Sequence, residues 1–136
     1  MKGVNWIAVI VAFVVLQALG FLWYGPLFGT AWMAELGPAP HASDATRALA
    51  LGAVNTVIVV LGLAWLVSRL GARSVAASAG AALAAWFFFD FTTMTVDYLY
   101  LGHSAKLVGI NMGYQLVAYA LTGAVLGMLK PKAAVA

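Results

Sequence analysis

Asp90 and Asp97 have the most chemistry to offer, because they alone interrupt an otherwise uncharged run from Ser74 to Ala105. They stand seven residues apart, which at about 100° per residue puts both on one face of a helix, with Thr93 and Met94 beside them. Two carboxyls so placed could serve as a general acid and base. A charged side chain at bilayer depth is costly, so it is expected to face a bundle interior or a cavity. A second polar stripe runs through Asn111, Gln115, Tyr119 and Thr122, which fall within about 80° of one another on a helical wheel. The short turn at Gly102-His103-Ser104 makes the helices bearing the two stripes antiparallel neighbours, with Asp97 near the level of Asn111 and Asp90 near Gln115.

Depth brings two more residues into register. Gln17 lies seven residues before Tyr24, Asn55 seven after Ala48, Asp90 seven before Asp97 and Gln115 eight after Leu107, all toward the same side of the expected bundle. At about 1.5 Å per residue, all four sit roughly 10–12 Å below that surface. They form a candidate intramembrane polar cluster, with Asp97, Asn111, Tyr24 and Trp32 as its neighbours toward the outer face. Two readings stay open. The cluster is polar glue between helices, contributing about 0.6 kcal/mol per hydrogen bond on average, or it is a ligand or proton site beneath an outer lid. A protonated Asp90 would hydrogen-bond like an amide and so suit the first reading.

The elements that must hold these residues are set by composition. The chain has 136 residues, of which 65% are hydrophobic and 8% charged, and its mean hydropathy is +1.00. Eleven fixed charges could not cover a water-soluble domain of this size, and so much apolar content excludes a disordered chain. The expected fold is all-α: one integral membrane domain over 1–136, with four transmembrane helices at about 4–24, 46–70, 74–100 and 106–129. Lys2 and the apolar run behind it resemble a signal peptide in their first two parts. No small-residue cleavage site follows, so an uncleaved first span is expected.

Gly25-Pro26 ends the first helix, because proline lacks the amide donor and clashes with the preceding turn. The next stretch, 27–36, is too short to cross and too rich in Leu, Phe, Trp and Met for a solvated loop. It is predicted to be a short interfacial helix, with Trp32 and Leu36 against the bundle or lipid. Residues 37–44 form a loop in which Ser43 or Asp44 caps the following helix. Small residues recur at four-residue spacing, as Ala76-Gly80-Ala84, Gly109-Gly113 and Gly123-Gly127, and would let helices approach closely within one bundle or across a dimer.

Asn5-Trp6 and the run Trp23-Tyr24-Gly25-Pro26-Leu27-Phe28-Gly29, followed by Trp32-Met33, resemble the signature of domain-of-unknown-function family 1761, a group of small bacterial membrane proteins. The resemblance implies a four-helix integral membrane protein of the bacterial cytoplasmic (inner) membrane. It brings no activity and no catalytic residues.

Familiar catalytic and nucleotide-binding motifs are missing, and there is no cysteine. His41 and His103, with Glu35 and Asp44 nearby, lack metal-ligand spacing and read as solvated loop residues. Neither a metal nor a cofactor is expected. The expected function is non-enzymatic: a small transport or ligand-binding bundle, or alternatively a structural or assembly partner. An enzyme acting on lipid ranks last, because no nucleophile accompanies the aspartates. The expected partners are membrane lipid and either a second copy or another membrane protein. Nucleic acid is not expected, because the basic residues are scattered at helix ends. Lys2, Arg69, Arg73, Lys130 and Lys132 lie on one side, and Arg47 and Lys106 on the other. The basic excess places both termini in the cytoplasm. Reporter fusions at the C-terminus should therefore read cytoplasmic and fusions within 37–44 external; the reverse pattern would overturn this orientation.

Overall fold

The computed structural model describes residues 4–37, 45–72 and 74–129. All regular structure among them is helical: α1 (Trp6–Leu22), a π-helical turn (Trp23–Leu27), α2 (Gly29–Leu36), α3 (Ala45–Arg69), α4 (Val75–Ala85), a second π-helical segment (Trp86–Phe91), α5 (Thr92–Leu101) and α6 (Ala105–Met128). The loop caps Ser43 and Asp44, together with His41, lie outside the described residues, as do Lys2, Arg73, Lys130 and Lys132.

Three stretches are long and apolar enough to cross a membrane: Trp6–Leu27, Thr46–Arg69 and Val75–Leu101. The fourth expected span, α6, is long enough at 24 residues, but Asn111, Tyr114, Gln115 and Tyr119 make it more polar. α6 packs against α1, α2, α3 and α4, so much of its surface meets protein. Short caps define the helix ends. Asn5 accepts from the Ile7 and Ala8 amides, Ser74 from Ala77 and Ser104 from Leu107. Gly71 (φ 62°) and Gly102 (φ 69°) take the left-handed conformation that reverses the chain after α3 and α5.

The most extensive contact is α4 against α6, and glycine makes it possible. A Cβ on Gly123 would stand 2.6 Å from the Ala79 Cα, and one on Gly127 would stand 2.7 Å from the Val75 Cα. The helices are thus antiparallel and almost in backbone contact, as small-residue rows allow in lipid. Gly123-Gly127 works within the bundle. Ala76, Gly80 and Ala84 face outward instead, and the α4 side of the contact is made by Val75, Ser78, Ala79 and Ala82.

Burial is uneven along the bundle. The core is drawn from Ala8, Ala12 and Leu16 of α1, Val60 to Val67 of α3, Ala82 of α4, and Ala118, Val125 and Leu126 of α6. These residues cluster toward the end where α1 begins and α6 finishes, hereafter the terminal end. There Asn5 also donates to the Leu129 carbonyl, fastening the start of α1 to the finish of α6. Toward the other end, where α2 lies, the buried residues belong to α6: Leu107, Ile110 and Met112. No described α3 residue before Val60 is buried, and neither α2 nor α5 buries a residue.

The segment predicted at 27–36 is a helix, Gly29–Leu36, set off from α1 by a kink at Gly25. The π-helical segment Trp86–Phe91 was not anticipated, and it changes which residues share a face. It inserts an extra residue into the turn. The inward positions therefore run Ser78, Ala82, Trp86, Asp90, Met94 and Tyr98 rather than keeping a constant 3.6-residue phase to position 97.

The glycine contact yields a direct test. Gly123→Val and Gly127→Val should each destabilise the protein by about 1–3 kcal/mol, because backbone must move to admit the side chain. Gly80→Ala, which meets nothing within 4 Å, should leave the melting temperature in detergent unchanged or slightly raised.

Candidate functional site

The aromatic signature after α1 earns its residues one by one. Trp23 lays its ring on Gly113, where an added Cβ would lie 3.2 Å from the indole, and its Nε1–H donates to the Ile110 carbonyl at 3.0 Å. The Tyr24 hydroxyl donates to Asn111 Oδ1 at 3.1 Å, and Asn111 Nδ2 donates to the Tyr98 hydroxyl at 3.0 Å. Three helical segments are joined through one amide. Gly25 takes a non-helical conformation (φ −105°, ψ −106°), and Pro26 brings no amide donor to the turn. The Phe28 amide reaches back five residues to the Trp23 carbonyl at 2.8 Å. Gly29 must lack a side chain, since its Cβ would fall 2.6 Å from the Tyr24 carbonyl oxygen. Trp32 then packs edge-on to Tyr24, with ring centroids 5.1 Å apart.

α2 is held at its far end by charge. The Glu35 carboxylate lies 3.3 Å from Lys106 Nζ and accepts from the Ser104 hydroxyl. The Ser104 bond, and then Lys106, hold its carboxyl below the usual glutamate range. Lys106 therefore pairs with Glu35.

Of the expected outer-face neighbours, Tyr24, Trp32 and Asn111 come together, and Asp97 does not. Asp97 is exposed, and Tyr98 takes the inward place and meets Asn111. The π-helical segment is the physical reason. One extra residue rotates α5 by roughly 100° relative to α4, so the inward face beyond the segment runs through Met94 and Tyr98 and leaves Asp97 outside.

Of the expected polar cluster, Asn55 and Gln115 line one half-open pocket between α1, α3 and α6, of about 370 Å³ including its open side. Thr56, Tyr114, Tyr119 and Thr122 contribute to the same wall, with Leu16, Val59 and Ala118 as its apolar part. Asp90 does not line it but lies within electrostatic range of Tyr119, which does. One carboxylate oxygen of Asp90 is buried with no hydrogen-bond partner, and so is the Trp86 indole nitrogen one turn earlier. Gln17 departs from the expected cluster. It is exposed, while its neighbour Leu16 turns into the pocket. Its depth was matched to the others, but helical rotation carries it about 100° away from the wall.

Sequence reasoning missed Thr56 and Tyr114 as pocket residues. Thr56 is next to Asn55, and Tyr114 precedes Gln115, so a wider window on the same two helix faces would have included them. The orphaned Trp86 nitrogen had no signal beyond its four-residue spacing from Asp90.

A family model described as "Protein of unknown function (DUF1761)" matches residues 7–127. No curated protein matches, and no solved structure matches.

The Glu35 clasp predicts a pH dependence. A carboxyl held below its ordinary value stabilises the fold fully above that value, and the contribution is lost as pH falls through the lowered one. Glu35→Gln should therefore lower the melting temperature at neutral pH by a small margin, as befits a surface ion pair. The gap to the parent should close as the pH is taken below the ordinary glutamate range. A gap that persists unchanged in acid would show that the charge is not what holds α2.

Proposed function

The chain belongs to the DUF1761 family, and we propose that it crosses the bacterial cytoplasmic membrane four times and binds a small ligand in the pocket between α1, α3 and α6. Three spans are supported by length and apolarity. α6 is the fourth in this reading, because it is 24 residues long and runs antiparallel to α4 through the Gly123 and Gly127 contacts. α2 lies at the outer interface, where Trp32 and Glu35 anchor it, and both termini are cytoplasmic.

The observation that carries the reading is the pocket itself. Interior gaps in a bundle are normally filled or lined by apolar groups. This one lies near the middle of α3 and α6 and is lined by two carboxamides and four hydroxyls. Asp90 stands outside this lining, within electrostatic range of Tyr119. Unpaired polar groups at bilayer depth are expensive, so a ligand or water that satisfies them supplies the missing partners. The role is binding or transport rather than catalysis. Asp90 points inward and Asp97 is exposed, so they do not make an acid–base pair.

A second reading has its own observation. The chain of bonds from Tyr24 through Asn111 to Tyr98 uses polar groups purely to join helices, and the pocket residues could do the same in a scaffold protein.

The absence of cysteine makes the two readings separable. In native membrane vesicles, Gln115→Cys should react with N-ethylmaleimide roughly ten-fold or more faster than Val125→Cys, whose site is in the packed core. Equal, negligible reaction at both positions would favour dry glue and overturn the binding role.

A further inference from the structure

The pocket's lining also limits what it can hold. None of the residues that form it is charged. An ionic head group would leave water without a counter-charge, at a cost no neutral dipole offsets. The Thr56 hydroxyl donates to the Gly52 carbonyl at 2.9 Å, and the Thr122 hydroxyl to the Ala118 carbonyl at 2.8 Å. Both donors are spent, and both oxygens remain as acceptors. Asn55 and Gln115 bring amide donors and carbonyl acceptors to the same wall. A group that both donates and accepts, such as a hydroxyl, matches this set; a group that only accepts leaves the threonine oxygens idle.

The direction of the opening narrows the class further. Asn55 is exposed although it lines the pocket, so it stands on the rim. Leu51 and Ile58 lie one turn on either side of it on the same face and are 58% and 61% exposed. All three sit in the middle stretch of a helix long and apolar enough to cross a membrane. A carboxamide in the centre of a lipid-facing apolar stripe has no water to bond with. The rim therefore opens sideways into lipid, with an apolar track above and below it.

Building on the binding role proposed above, we propose that the pocket takes a neutral, hydroxyl-bearing amphiphile from the membrane. The head group lies among Asn55, Thr56, Gln115 and Thr122, and the tail lies along Leu51 or Ile58 on the outside of α3. The enclosed part of the pocket is about 60 Å³, smaller than an ordinary ligand site and enough for a head group of a few heavy atoms. The tail needs no enclosure, because lipid already surrounds it.

The test uses a diazirine-bearing long-chain alcohol in vesicles containing the full chain, with the matching carboxylate and trimethylammonium compounds as comparators. The alcohol should label peptides around residues 51–58 and 115–122 several-fold above the exposed Phe87–Phe89 stretch. The two charged analogues should not. Asn55→Leu removes the rim amide from an exposed position and so spares the core; it should lower pocket labelling at least about three-fold and leave Phe87–Phe89 labelling unchanged. Gln115→Leu should act the same way. Even labelling along all lipid-facing helices overturns the proposal, as does equal labelling by the charged analogues. Cross-linking of two chains through residue 55, in place of pocket labelling, overturns it in favour of a second copy on that face. If the alcohol fails while Gln115→Cys still reacts with maleimide, the amphiphile is wrong and the binding role stands. If both fail, both are wrong.

Discussion

Nothing in a hydrocarbon interior replaces a hydrogen bond that the protein fails to make, and in the proposed four-span arrangement α6 absorbs most of that constraint. It is the helix with the most polar face among the long ones, and the others arrange themselves around it. At the terminal end, Gly123 and Gly127 let the α4 backbone lie directly on it, with no side chain between. At the opposite end the backbones stand further apart, and long side chains bridge the gap: Trp23 to the Ile110 carbonyl, Tyr24 and Tyr98 to Asn111. Dispersion does the joining where residues are small, and hydrogen bonds do it where they are large. The pocket lies between these two regimes, where α3 parts from α1 and α6.

The aromatic and Gly/Pro signature follows from the same constraint. A chain leaving α1 must turn without exposing unpaired amides, so proline removes one donor and the five-residue bond to the Trp23 carbonyl satisfies another. The turn carries Trp23 and Tyr24 onto α6, and Glu35 ties α2 back to Ser104 and Lys106. Residues far apart in sequence are therefore fastened at two points, a clasp from Asn5 to Leu129 at one end and this aromatic cap at the other.

Much of the layout was legible from residue type alone. Uncharged runs marked the long helices, Gly25-Pro26 marked the kink, and the short apolar stretch behind it marked α2. Gly123-Gly127 announced a close contact, although not which face of α4 would meet it. The site was legible only where rotation could be trusted. Asn55 and Gln115 share a wall because both helices are regular there. Gln17 was matched in depth but not in rotation, and depth is only one of the two coordinates a helix needs. Asp97 was misplaced because a π-helical insertion leaves no mark in hydropathy: Trp86-Phe87-Phe88-Phe89 is as apolar as any α-helical stretch.

In the proposed function, the polar pocket between α1, α3 and α6 is a binding site open to the lipid and not glue between helices. A crystal structure grown from a lipidic mesophase, with bound lipid and water resolved, tests it most directly. Non-protein density is expected beside Asn55 and Gln115, with a polar atom within hydrogen-bond distance of at least one of them and an apolar portion running along Leu51 or Ile58. A collapsed pocket, in which Asn55 and Gln115 bond to each other and exclude any guest, would contradict it.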